Sequence, residues 1–194
     1  MANNSDQNIE TELKLLIEPS NICDILQLID KNMAYLKKPR TYELSIMYDN
    51  EAGLMQTTDG RIRVRQSGDT VEFCYKKPLT REVIKQEIEY EVTISDQEQL
   101  DHILKEMGFQ PTTSYERYRT EFLLNRVKIT LDEYPFAVFI ELEGNTNEII
   151  YVANLLNLDL KANLTDSCDT LFTRWRQDKG LSPIPHMRFD DFNR

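Results

Sequence analysis

The chain has 194 residues, of which 40% are hydrophobic and 29% charged, and its formal net charge is −10. A chain of this length can bury a core in one large domain or in two small ones. The excess of acidic residues argues against a general binder of nucleic acid or of anionic membranes, because such proteins need surplus Lys and Arg. The polar start over 1–8 predicts no signal peptide, and no run approaches the roughly 18 apolar residues of a membrane-spanning helix.

The first predicted strand has a charged face and an apolar face. Successive side chains of a strand alternate between the two faces of a sheet, so Glu10, Glu12 and Lys14 share one face of the strand over 9–15. An ordinary strand with one solvated face would show the same alternation. The strand therefore indicates a functional surface only if other strands repeat its pattern.

A helix and a second strand are predicted next. Ser20 is a candidate N-cap, and apolar residues at helical spacing continue to Leu36. Pro39 should close this helix, because proline interrupts helical hydrogen bonding. The alternation over 40–49 then predicts a strand.

The middle of the chain predicts a hairpin followed by a further strand. Gly68 lies in the expected turn, Pro78 should stop the return strand, and 83–94 alternates as the next strand. The charged side chains that share faces on these strands are Arg61, Arg63, Arg65, Glu72, Lys76, Glu87, Glu89 and Glu91. The pattern of the first strand is thus repeated with charges of both signs.

The following segment predicts a helix and three more strands. Ser95 and Glu98 have the spacing of a capping box, so a helix should start there and end at Gly108. The three strands are predicted over 114–122, 126–134 and 136–143. The polar side chains that share faces on them are Arg117, Arg119, Glu121, Lys128, Thr130, Asp132, Glu141 and Glu143.

The C-terminal part is predicted to be helical. One helix should start at Asn145 or Thr146, and Thr165 can cap a second one. The tail over 181–194 is predicted to be irregular. Because no linker-like segment interrupts the chain, we expect a single domain over 1–194.

The predicted strands number about eight, which indicates an α+β fold built on a closed antiparallel barrel. Either the apolar faces fill the interior, or the charged faces line it while helices cover the apolar backs. Burying unpaired ions costs several kcal/mol each, so a charged interior requires mixed signs and a bound group that completes the balance. The signs do mix, and the apolar helix stripes need a sheet surface to cover. The expected segments are the barrel at about 8–144, the C-terminal helices at about 145–180 and the tail at about 181–194.

A lining of mixed charge suits a polyanion together with a hard divalent cation. Guanidinium groups fork onto phosphate oxygens, and clustered carboxylates bind Mg²⁺ or Mn²⁺, which in turn bridges phosphates. His102 on a predicted helix and His186 in the tail are not expected to be catalytic. We expect the nucleophile to be a metal-held water activated by a carboxylate.

Seven short motifs follow one another along the strands. They are Glu10-Thr11-Glu12-Leu13-Lys14, Ile62-Arg63-Val64-Arg65, Phe73-Cys74-Tyr75-Lys76, Glu87-Ile88-Glu89, Arg117-Tyr118-Arg119, Leu131-Asp132 and Glu141-Leu142-Glu143. In this order they resemble the CYTH superfamily, whose members are also called triphosphate tunnel metalloenzymes. Cys74 departs from the Thr usual in that family.

The resemblance implies an eight-stranded tunnel that binds a triphosphate together with Mg²⁺ or Mn²⁺. It implies metal ligation by Glu12, Glu141 and Glu143, with Glu10 holding or orienting a second metal and the attacking water. Glu10 and Lys14 are thus the expected catalytic residues. The expected phosphate-binding residues are Lys14, Arg63, Arg65, Lys76, Arg117 and Arg119. The lining residues without an assigned role are Arg61, Glu87, Glu89 and Asp132, of which Arg61 lies either at the tunnel mouth or in solvent.

Three functions are compatible with such a tunnel. The first is a metal-dependent triphosphatase, in which water attacks the terminal phosphoryl group of tripolyphosphate, thiamine triphosphate or a nucleoside triphosphate. The second is a class IV adenylate cyclase, and the third is a non-catalytic module that binds polyphosphate or nucleotide. We expect a small triphosphate-containing partner, no nucleic acid or membrane partner, and a monomer or homodimer. Three widely spaced cysteines indicate reduced thiols and a cytoplasmic location.

Overall fold

The computed structural model describes residues 8–192, in which the chain forms nine strands and five α-helices. The strands are β1 Ile9–Ile17, β2 Tyr35–Asn50, β3 Arg61–Ser67, β4 Thr70–Thr80, β5 Lys85–Ile94, β6 Phe109–Leu124, β7 Val127–Glu133, β8 Val138–Glu143 and β9 His186–Met187. The helices are α1 Ile22–Lys31, α2 Leu54–Thr58, α3 Gln97–Glu106, α4 Thr146–Leu155 and α5 Cys168–Asp178. None of the helices within residues 8–192 has the length and apolar character that a bilayer crossing needs.

Eight of the strands close into an antiparallel barrel, which confirms the predicted fold. Their order around the barrel is β2, β3, β4, β5, β1, β8, β7 and β6, and β6 pairs with β2 to complete the ring. β6 is longer than predicted because one of its edges pairs with β2 and the other pairs first with β9 and then with β7. A closed barrel leaves its long strands without free edges.

The apolar core lies between the barrel and its helices. Leu13, Ile129 and Leu142 point out of the barrel and are buried with residues of α1 and α4. Helix α3 covers β2 and β3 in the same way, and α5 packs with the C-terminal tail over a third apolar cluster. Burying each such side chain contributes about 1.5–3 kcal/mol. Of the two arrangements that the sequence allowed, the observed one therefore has the charged faces of the strands inside the barrel and their apolar faces covered by helices.

Helix α1 ends earlier than its apolar spacing predicts. It stops at Lys31, Met33 adopts a left-handed conformation with φ 58°, and Leu36 already belongs to β2. The prediction that the helix continues to Pro39 is wrong, because a left-handed residue breaks the helix. Pro39 instead lies inside β2, where the register with β6 shifts and no ladder hydrogen bond is required of it.

Three other predicted boundaries differ for local reasons. β4 continues through Pro78, where its register with β5 shifts, so this proline is tolerated as at a bulge. Asp96 rather than Ser95 caps α3, because its carboxylate accepts the Gln99 N–H at 3.0 Å. Helix α5 begins after Ser167 rather than Thr165. The tail, predicted to be irregular, contains the short parallel strand β9.

Candidate functional site

The barrel encloses a cavity of about 250 Å³ whose walls are mainly charged side chains. The predicted site residues that line it are Glu10, Glu12, Lys14, Arg61, Arg63, Arg65, Lys76, Glu87, Glu89, Arg117, Arg119, Glu141 and Glu143. The remaining one, Asp132, is fully buried behind two of these guanidiniums. The structure thus brings the predicted charges into one hollow, and it places Arg61 on the wall of that hollow.

The most buried part of the cavity is a network of ion pairs. Arg119 Nε donates to Asp132 Oδ1 at 2.6 Å, and Arg117 Nε donates to Glu43 Oε2 at 2.8 Å. Arg117 also donates to the hydroxyl of Tyr134 at 3.0 Å. Buried carboxylates therefore orient both guanidiniums before any ligand is bound, which is the preorganisation that favours charge stabilisation.

Glu141 lies between two of the predicted phosphate-binding cations. Lys14 Nζ is 3.0 Å from one of its oxygens, and Arg119 donates to the other at 2.8 Å. Burial alone would raise the pKa of Glu141, but Lys14 and Arg119 outweigh it and hold that pKa well below its usual range. Burial would likewise lower the pKa of Lys14, yet Glu141 and Glu12 raise it overall. Both groups of this pair are ionised at neutral pH.

Three carboxylates converge where β1 pairs with β5, and we call them the carboxylate trio. Within residues 8–192, Glu10, Glu12 and Glu87 each offer an oxygen within 4.8 Å of the others. Such oxygens are the ligands that hard divalent cations prefer, so this donor set fits Mg²⁺ or Mn²⁺. Glu141 and Glu143 lie on β8, next to β1, and do not join the trio in the described part of the chain. Their role as ligands stays a prediction.

Buried cations hold the carboxylate trio in place. Lys85 Nζ lies 2.6 Å from Glu12 Oε1 and 3.0 Å from Glu87 Oε2. Lys76 pairs with the third member of the trio, and Arg61 also pairs with Glu87. Burial tends to raise the pKa of Glu87, but Arg61 and Lys85 lower it overall. The negative charge of the trio is therefore already compensated by neighbouring cations.

A second group combines a thiol with two carboxylates on β4 and β5. Cys74, Glu89 and Glu91 also offer donor atoms within 4.8 Å of one another. Cys74 Sγ donates to Glu89 at 3.2 Å, and burial raises the pKa of the thiol to about 12. A thiol that stays protonated is a poor metal ligand. This group therefore fits a divalent cation less well than the carboxylate trio does.

Arg63 has hydrogen-bonding capacity that its neighbours leave unused. Arg65 Nε donates to Glu72 at 2.8 Å and its NH2 group lies 3.1 Å from Glu91. Arg63 reaches Glu91 only at 3.4 Å, and its buried Nε finds no hydrogen-bond partner among residues 8–192. An unsatisfied buried donor costs about 1–3 kcal/mol. Since Arg63 lines the cavity, its incompletely paired guanidinium is a candidate contact for an anionic ligand.

The two ends of the cavity differ in exposure. The paired side chains of Lys128 and Glu143 are 29% and 31% exposed, so the cavity opens at their end of β7 and β8. Tyr134 lies just beyond the opposite end of β7, where the Cys168 thiol contacts it and the first turn of α5 lines the cavity. Burial raises the pKa of Glu143, with Lys128 opposing the rise. Helix α5 therefore covers one end of the barrel.

The sequence analysis did not single out several residues that line the cavity or support its walls. Lys85 is 4% exposed and lies two positions before Glu87, so the alternation of β5 already placed it on the charged face. Glu43 does not line the cavity but pairs with Arg117, which does; it is 1% exposed and lies on the inward face of β2 by the same alternation. Tyr134 lies one residue beyond the observed strand, but it is the next position of the face that carries Lys128, Thr130 and Asp132 in the strand predicted over 126–134, so the alternation already pointed to it. Neither histidine lines the cavity: His186 bonds Ser114, and the side chain of His102 is exposed on α3.

Comparisons with known proteins agree with this geometry. The family model of the CYTH domain matches residues 8–164. A relative from Methanocaldococcus jannaschii named "putative adenylate cyclase" is 25% identical over 142 residues, which are 73% of this chain and 79% of its own length. A structure from Vibrio parahaemolyticus with the same description has a TM-score of 0.76 at 16% identity, covering 86% of this chain and 98% of that one.

A plant structure shares the fold at greater distance. It comes from Hippeastrum, is described as a "putative adenylyl cyclase" with a dominant triphosphatase activity, and has a TM-score of 0.61 at 16% identity over 92% of this chain and 100% of that one. The fold and the cavity define a tunnel protein with a lining of both charges. The chain belongs to the CYTH domain family, since the family model spans most of its length.

Proposed function

We propose that the protein is a metal-dependent triphosphatase in which water attacks the terminal phosphoryl group of tripolyphosphate, thiamine triphosphate or a nucleoside triphosphate. The observation that carries this proposal is the presence of a carboxylate trio and a set of buried cations in one cavity. A module that only binds anions gains nothing from carboxylates among its cations, because they compete with the ligand. A non-catalytic binding module is therefore the weaker interpretation.

The carboxylate trio supplies the ligands that we propose for Mg²⁺ or Mn²⁺, together with Glu141 and Glu143 on the resemblance to the family. Glu10 and Glu12 belong both to the trio and to the ligand set that the resemblance implies. The chemistry that a divalent ion supplies in such a site is Lewis-acid neutralisation of phosphate charge and a lower pKa for water.

The basic residues of the cavity wall would bind and orient the triphosphate. Arg63, with its unsatisfied Nε, and Lys14, which is 10% exposed, are candidates for direct contacts with phosphate oxygens. Arg117 and Arg119 are fixed by buried carboxylates and would stabilise charge that spreads over the transferring phosphoryl group. Glu10 would orient the attacking water and accept its proton.

The size of the cavity favours hydrolysis of a compact triphosphate. About 250 Å³ lies below the roughly 300–1,000 Å³ of pockets that enclose drug-sized ligands. A triphosphate chain can be enclosed, while an organic group would have to extend through the open end. A class IV adenylate cyclase remains the second candidate, because the Methanocaldococcus jannaschii relative is named a "putative adenylate cyclase".

The proposal is tested by following phosphate and cyclic AMP in the same reactions. Purified protein is incubated with tripolyphosphate, thiamine triphosphate or ATP, in Mg²⁺, Mn²⁺ or EDTA. We expect metal-dependent phosphate release that is fastest with tripolyphosphate and no cyclic AMP. Cyclic AMP with pyrophosphate would select the cyclase, and binding without any product would select the non-catalytic module.

Glu12→Gln is the matched inactive variant. It replaces one oxygen of the carboxylate trio by an amide of the same shape, so we expect phosphate release to fall by at least about a hundredfold. Glu51→Gln, at an exposed turn position, is the control and should behave like the wild-type protein. Undiminished turnover in Glu12→Gln would refute the role of Glu12.

A further inference from the structure

Lys85 occupies an unusual position beside the carboxylate trio. It is the first residue of β5, lies opposite Glu12 in the register with β1, and is 4% exposed. Its ammonium bridges two members of the trio, at 2.6 Å from Glu12 and 3.0 Å from Glu87. A single buried positive charge thus contacts two of the oxygens that would bind a divalent cation.

A divalent cation and this ammonium compete for the same carboxylates. Two positive charges a few ångströms apart repel each other strongly away from bulk water, and the burial of Lys85 leaves its ammonium little access to solvent. In the empty cavity, however, the ammonium is needed, because uncompensated buried carboxylates cost several kcal/mol each. A phosphate oxygen in the cavity would offer the ammonium another partner.

We propose that Lys85 is a positioning residue that takes the place of the divalent cation in the empty cavity and moves to a phosphate oxygen when cation and triphosphate enter together. This inference rests on the metal site of the proposed function and goes beyond it by making the two ligands interdependent. The cation binds weakly alone because Lys85 holds its ligands, and it binds well once the triphosphate attracts the ammonium. By linkage, each ligand then strengthens the binding of the other.

Thermal unfolding of Lys85→Met tests the inference without relying on turnover. In EDTA we expect a lower Tm than that of the wild-type protein, since two carboxylates lose their counter-ion. Mn²⁺ alone should raise the Tm of the variant by several degrees and that of the wild-type protein by less than about one degree, because stabilisation follows the affinity for the folded state. Lys105→Met, which removes an exposed ammonium of α3 far from the cavity, should show no such Mn²⁺ dependence.

Direct titration of Mn²⁺, followed by electron paramagnetic resonance without triphosphate, provides the second readout. We expect the dissociation constant for Mn²⁺ to be at least about tenfold lower for Lys85→Met than for the wild-type protein. Lys85→Gln, which keeps a hydrogen-bonding group without the charge, should behave in the same way and serves if Lys85→Met does not fold in EDTA. Lys85→Arg should bind Mn²⁺ as weakly as the wild-type protein.

Two results would overturn the inference. One is a wild-type protein whose Tm rises by several degrees with Mn²⁺ alone, and the other is a set of neutral variants that bind Mn²⁺ no better than the wild-type protein. Both are independent of whether the wild-type protein releases phosphate from tripolyphosphate. A failure of the proposed triphosphatase activity is therefore distinguishable from a failure of the role of Lys85.

Discussion

At the scale of single residues, the cavity depends on charges that are buried in complementary pairs. Glu43 receives hydrogen bonds from Lys38 at 2.7 Å, from Ser67 at 2.9 Å and from Arg117 at 2.8 Å. Burial would raise the pKa of Glu43, but Arg117 and its neighbouring cations outweigh this and hold the pKa well below its usual range. Glu43 thus holds in place a guanidinium that we propose binds phosphate.

Glu43→Gln should destabilise the protein by about 3–5 kcal/mol at pH 7, because, among residues 8–192, Arg117 is then left with the carboxylate of Asp132 alone, which it shares with Arg119. The folded-state pKa of this carboxyl is depressed below its unfolded value of about 4.3. Its contribution is therefore fully present above that value and is lost as the pH falls towards the folded pKa.

Urea unfolding at pH 7, 5 and 3 measures this dependence. The gap between the wild-type protein and Glu43→Gln should be largest at pH 7 and should shrink at pH 3. Glu51→Gln, at an exposed position, should show no gap at any pH. A gap for Glu43→Gln that persists unchanged at pH 3 would contradict the assignment.

The identity of the metal ligands is a second residue-scale prediction. Glu87→Gln should raise the Mn²⁺ concentration required for half-maximal phosphate release by at least about tenfold, because it removes an oxygen of the carboxylate trio. Glu121→Gln, which lines the cavity outside the trio, is the control. If Glu87→Gln has no effect while Glu141→Gln does, the ligands lie on β1 and β8, as the resemblance implies.

At the scale of elements, helix α5 and the tail close one end of the barrel. Met187 of β9 is 2% exposed and packs with Phe139 of β8 and Phe172 of α5. The tail is also attached through its backbone, since Ser114 N donates to Pro185 O at 3.0 Å. These elements lie beyond the segment that the family model matches, which ends at residue 164, yet the first turn of α5 lines the cavity.

Met187→Ala should lower the free energy of unfolding by about 2–5 kcal/mol, because it leaves a cavity in this cluster. Met107→Ala is a matched control, since Met107 is 66% exposed at the end of α3 and should change stability by no more than about 0.5 kcal/mol. Urea unfolding midpoints provide the measurement. Equal midpoints for both variants would show that the tail contributes nothing to the stability of the barrel.

At the scale of the whole molecule, the distribution of charge matters more than its sum. The net charge is −10, and many of the cations are turned into the cavity, where carboxylates already contact them. Binding to a nucleic acid backbone needs cations on an accessible surface that release condensed counter-ions. A small polyanion can enter the cavity and a duplex cannot.

The protein should therefore not bind nucleic acid. Fluorescence anisotropy of a labelled DNA or RNA duplex should stay constant up to about 10 μM protein at about 0.1 M salt, given that non-specific binders reach dissociation constants of about 10⁻⁴–10⁻⁶ M. Unlabelled tripolyphosphate should still be hydrolysed in the same buffer. Salt-dependent duplex binding at micromolar protein would show that cations outside the cavity form a second anionic site.

The sequence alone determined which side chains share a face of each strand, because the strand period of two is a local property of the backbone. Glu10, Glu12 and Lys14, or Arg61, Arg63 and Arg65, could be grouped without knowing any partner strand. Together with the order of the motifs, this was enough to predict a closed barrel with a charged interior. It was not enough to place helix ends such as Met33, since a left-handed methionine has no sequence signature.

The tertiary structure alone decided which charges meet. Glu12 and Lys85 are 73 positions apart, and they are neighbours only because β1 pairs with β5 in one register. The same holds for Arg117 and Glu43 across the closure of β2 on β6. Alternation assigns a side chain to a face but not to a partner, because the partner depends on barrel closure and strand order, which are set by contacts distant in sequence.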